Sequence, residues 1–164
     1  MSSCISSHEE NPMPKDDGSL RSDVTEEGIA LLIDRFYATV REEPVLGPVF
    51  ESAISPDEWP EHLATMRRFW SSVMLASGRY SGNPVAVHRT VANLQRPMFA
   101  RWLALFEEAA GKLFTPDIAG EFTAKAQRIA VSLQLALFHR LGQPPEGLVL
   151  PPKASTALSD HGVS

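Results

Sequence analysis

Four side chains in this sequence pair an apolar neighbourhood with hydrogen-bonding or metal-ligating chemistry: Tyr37, His62, Trp102 and His88. The first three fall in or at the edge of stripes of apolar residues with helical spacing. A phenol or an indole in such a stripe brings an O–H or N–H that the core must satisfy. A neutral imidazole between Trp59, Leu63 and Met66 must pair its ring nitrogens too, either locally or through something bound in the core. Taken singly, each is explained as a core residue bonded to a backbone carbonyl. Three from separate helices outline a cavity for something small and polar. His88 is of a different kind. Gly78, Gly82 and Pro84 break the helix before it and Pro97 starts the one after, so it rides on at most two turns between loops. A histidine so placed is either an ordinary surface residue or the protein ligand to a cofactor metal.

Other chemistries find no footing. The chain shows no carboxylate pair, no glycine-rich phosphate loop and no Ser-His-Asp order. Zinc demands three or four clustered ligands, which the apolar faces do not offer, and Cys4 with His8 on a polar arm supplies only two. A net charge of −5 and a pI near 5.5 argue against a nucleic-acid partner, since Arg67-Arg68 is the only adjacent basic pair. No apolar run approaches a membrane span. With neither a signal-like nor a transit-like N-terminus, and with one cysteine that cannot form an internal disulfide, the expected location is the cytoplasm.

The elements that must position these residues are helices punctuated by proline. All thirteen aromatic residues lie between Phe36 and Phe138, so residues 1–22 and 143–164 read as disordered tails around one domain, 23–142. A first helix is expected from Thr25 to Arg41, with Asp23 and Glu26 as its capping pair and Ile29, Leu32, Ile33, Phe36 and Val40 as its buried stripe. Leu46 to Phe50 form a compact turn or short helix. Ser55, Pro56 and Glu58 then make a capping box for a second long helix bearing Trp59, His62, Leu63, Met66, Phe69, Trp70 and Val73. A third runs from Pro97 to Leu113 through Phe99, Trp102 and Phe106. A fourth is capped by Thr115, starts at Pro116, and ends at Leu141 before Gly142. Between the second and third, about twenty residues of little regular structure surround His88, and loops of that length tend to be functional.

In order along the chain, Phe36-Tyr37, Leu46-Gly47-Pro48-Val49-Phe50, Glu58-Trp59 with Glu61-His62, Phe69-Trp70, Gly82-Asn83-Pro84 before His88, and Trp102-Leu103-Ala104-Leu105-Phe106-Glu107-Glu108 resemble the third group of truncated haemoglobins, the two-over-two globins. The resemblance spans about Thr25 to Arg140. It implies an all-α fold around haem b, with His88 as the proximal iron ligand, Tyr37, His62 and Trp102 on the distal side, and Phe50, Met66 and Phe69 against the porphyrin. Pro60 departs from the family pattern. So does Thr65, where a basic residue is often found, which leaves Arg67, Arg68, Arg89 and Arg96 as propionate partners to consider.

The implied function is binding of dioxygen, nitric oxide or other small diatomic ligands at a penta-coordinate iron. Each distal hydrogen bond contributes about 1 kcal/mol when neutral and up to about 3 when its acceptor is charged. Because roughly 1.4 kcal/mol is tenfold, two good donors favour tight retention. An alternative is a haem enzyme, a nitric oxide dioxygenase or a peroxidase-like protein, drawing electrons from an external reductase. The remote alternative is a cofactor-free helical interaction module.

Overall fold

The computed structural model describes residues 18–138. The distal parts of both expected tails, Cys4 and His8, and the expected helix end at Leu141-Gly142 lie outside the described residues. Among the described residues six helices follow in order: α1 (Glu26–Glu42), α2 (Leu46–Ala53), α3 (Trp59–Leu75), α4 (Pro84–Arg89), α5 (Pro97–Leu113) and α6 (Pro116–Phe138). The fold is all-α. One pair, α1 with α3, packs through α1 onto the other, α5 with α6, and α4 lies against α6.

The stripe of α1 meets expectation: Ile29, Leu32, Ile33, Phe36 and Val40 are all fully buried. Its cap does not. Thr25, not Asp23, accepts the hydrogen bond from the Gly28 amide, at 3.0 Å. Thr25 sits in extended backbone directly before the first helical turn, where a side-chain oxygen reaches the N3 amide; Asp23 stands two residues too early for that reach.

Glu43-Pro44 stops α1, and the chain doubles back at once as α2. A Cβ on Gly47 would lie 2.6 Å from the Arg41 carbonyl oxygen, so only glycine permits so close an approach. The Glu43 carboxylate accepts from the amides of Val45 and Leu46 and pairs with Arg101 of α5, fastening the corner to the bundle. At the head of α3, Glu58 reaches back to the Ser55 amide at 3.1 Å, the carboxylate half of the expected box, while regular helix begins at Trp59. Pro60 is tolerated because it stands in the first turn, where its missing N–H leaves no helical bond unmade.

Trp70 is the centre of the core. It stacks on Phe106 of α5 at 4.7 Å and leans on Phe122 of α6 at 5.9 Å, joining the two helix pairs. The N-terminal arm is tied down earlier than its composition announces. Arg21 donates to the Leu113 carbonyl and accepts from the Thr115 amide, a single bridge across the α5–α6 corner. Among the described residues no helix is long and apolar enough to cross a membrane.

Candidate functional site

Tyr37, His62 and Trp102 arrive from α1, α3 and α5 and meet. The Tyr37 ring lies 5.2 Å from the His62 ring, edge to face at 89°. The Trp102 indole, which has only a proton to offer, lies close enough to Tyr37 to favour charge on the phenol oxygen. Phe36, next to Tyr37, packs edge-on against Trp102 at 5.4 Å, and Trp102 stacks on Phe106 at 5.3 Å, which locks the indole in place. Burial pushes the Tyr37 phenol well above its ordinary range, with the Trp102 N–H opposing only in part. The phenol therefore keeps its proton at neutral pH and remains an O–H donor. For His62, burial and then the nearby His88 imidazole lower the pKa, favouring a neutral ring. Its Nε2 is buried with no hydrogen-bond partner among the described residues.

His88 is reached from the other side. Asn83 caps α4 by accepting from the Ala86 amide at 3.1 Å, and Pro84 occupies the first helical position. This two-turn helix carries His88 into half-buried surroundings. There Nδ1 lies 2.6 Å from the Pro84 carbonyl oxygen. A carbonyl only accepts, so Nδ1 carries the proton and the Nε2 lone pair is left free, the tautomer suited to a metal. The α3 and α4 helices share no extended interface. His62, Met66, Phe69 and Val73 follow one another down a single face of α3. Phe50, Leu63, Met66, Phe69, Val73, Leu94, Met98 and Trp102 border the core while only partly buried.

No model of a known protein family matches the chain. A group 3 truncated hemoglobin from Campylobacter jejuni is 35% identical to it over 117 residues, covering 70% of this chain and 92% of the relative. The chain belongs to the group III truncated haemoglobins. The crystal structure of a group III truncated hemoglobin from the same species superposes with a TM-score of 0.71 at 33% identity, over 76% of this chain and 100% of that one.

A truncated haemoglobin implies haem, and the residues in place fit it. A porphyrin asks the protein for one axial nitrogen and apolar walls. The chain offers an imidazole whose other nitrogen is already anchored, a partly buried apolar rim, and buried polar groups near it. Among the described residues no three His, Cys, Asp or Glu side chains gather as a site for a bare ion.

Two of the basic residues weighed for the propionates are engaged elsewhere. Arg67 pairs with Asp34 of α1 at 2.6 Å. Arg68 bonds Glu61 and Thr65. Arg89 is exposed and Arg96 half-buried. Two aromatic neighbours went unremarked in the sequence as members of the site. Tyr80 packs edge-on against Phe69 at 5.1 Å and folds over Gly82, where a Cβ would meet its hydroxyl at 2.5 Å. Trp59 sits between Tyr37, Phe50 and His62. Its position three residues before His62, on the same helical face, was the available signal.

Proposed function

We propose that this truncated haemoglobin holds haem b through His88 and retains dioxygen or another small diatomic ligand by distal hydrogen bonds. When bound, haem would supply the iron that takes up such a ligand. His88 Nε2 is the proximal nitrogen, and the Pro84 carbonyl fixes its tautomer and raises its basicity. Phe50, Met66 and Phe69 line the porphyrin and keep water out. Across the cleft the Tyr37 O–H would be the donor available to such a ligand. Trp102 donates to the phenol oxygen, so it orients and polarises that O–H. His62, kept neutral by burial, adds a second polar group beside Tyr37 without bringing a charge.

The observation that carries this reading is the anchored imidazole of His88, half-buried on α4 with its Nδ1 held by the Pro84 carbonyl and its Nε2 left free to ligate. Absorption spectra of the ferric, ferrous and carbonmonoxy states test it. The expected result is a Soret band, and a ferrous spectrum of the penta-coordinate type. His88→Ala is expected to lose most haem affinity, whereas His62→Ala keeps the haem and changes ligand rates. Reversed behaviour of the two variants would exchange the proximal and distal assignments, and a protein that takes up no haem would end the reading.

A further inference from the structure

Trp59 has no part in the ligand chemistry above, yet its indole N–H is buried without a hydrogen-bond partner among the described residues. The residue is 2% exposed and opens the helix that carries His62. Its ring lies 5.4 Å from the His62 imidazole, perpendicular at 88°, and 6.1 Å from the Tyr37 phenol. Phe50 stacks beside it at 6.5 Å, and the Arg41 guanidinium covers the ring at 4.4 Å, itself held by Glu51. So packed, the indole has no easy route to turn its N–H to solvent. The adjoining ring, His62, holds another buried atom without a partner, Nε2.

Two such atoms in neighbouring rings call for one explanation. Native proteins meet buried unpaired polar groups with ordered water that bridges two or more of them. An indole can only donate, and an unprotonated imidazole nitrogen accepts. Together they complement a molecule that accepts one hydrogen bond and donates another. We propose that Trp59 and His62 form a buried site for a single water molecule, which accepts from Trp59 Nε1 and donates to His62 Nε2. Trp59 is thereby a positioning residue for His62. The water engages the imidazole nitrogen that would otherwise turn toward the iron or its ligand. This last consequence rests on the distal reading of His62; the water site itself does not.

The test uses the full chain as purified, in the diamagnetic carbonmonoxy state, labelled with nitrogen-15. The Trp59 indole resonance, identified by its disappearance in Trp59→Phe, is expected to show a cross-peak to a long-lived water. An indole proton with no water contact would overturn the site. A second arm replaces Trp59 by benzothienylalanine, which keeps the ring shape and removes the N–H. Diatomic ligand dissociation is expected to shift about fivefold, the factor one neutral hydrogen bond is worth, and the shift should vanish in a His62→Phe background. Unchanged rates, or an equal shift without His62, would sink the positioning role. Failure of the haem reading registers separately, as a missing Soret band, and the water cross-peak can still be sought in the haem-free chain.

Discussion

On the distal reading proposed above, Tyr37 donates to the ligand while its oxygen accepts from Trp102. The two side chains then act in series and not in parallel, which their sequence positions alone do not reveal. The sequence presents two independent donors; the pairing depends on the register between α1 and α5, which no local pattern encodes. A series arrangement has a measurable signature. Tyr37→Phe should speed ligand dissociation at least tenfold, the equivalent of about 1.4 kcal/mol. Trp102→Phe should do so by a smaller factor. The double variant should fall well short of the product of the two, because removing the phenol removes what the indole works through. Stopped-flow dissociation rates for the four proteins close the cycle, and simple multiplication of the single effects would contradict the coupling.

At the scale of helices, much was legible because proline and the capping residues act locally. Pro84, Pro97 and Pro116 each open a helix, the stripe of α1 buries the residues its spacing singles out, and α5 buries Phe99 and Phe106 while Trp102 stays partly buried. What escaped was decided by reach. The choice between Asp23 and Thr25 depends on which oxygen lies within hydrogen-bond distance of the Gly28 amide, a matter of one or two residues of extended chain. Thr25→Ala is expected to destabilise the protein by about 1 kcal/mol, whereas Asp23→Ala changes little. Urea unfolding followed by circular dichroism distinguishes them. The stretch Leu46–Phe50, open in the sequence between turn and helix, becomes a regular helix because Glu43 caps it from outside and Gly47 lets it approach α1.

Over the whole molecule, the two-over-two arrangement followed from the order of motifs, but the long-range ties that hold it did not. Arg21 at the α5–α6 corner and Arg101 on Glu43 are pairings across many residues. Glu43 gives the second of these ties a pH dependence. Burial raises its pKa, but the Leu46 amide, Arg101 and the Val45 amide together outweigh that, and the net shift is downward. A depressed carboxylate contributes stability above its unfolded value of about 4.3, and that contribution is lost as pH falls through the folded value. Glu43→Gln should therefore be less stable than the parent at pH 7, and the gap should narrow in acid below about pH 4. Denaturant midpoints across pH give the comparison.

The smallest helix sets a different kind of limit. The six residues of α4 include none that is buried, and the helix is docked on α6 alone among its extended contacts. Segments with so little burial open locally at a free energy far below that of global unfolding. Backbone amides of α4 should exchange with deuterated solvent well before those of α1 or α5 in the haem-free chain, and slow markedly once haem is bound. On this reading the residence time of the cofactor is governed by the opening of one short segment, and haem could exchange between molecules while the four long helices remain folded.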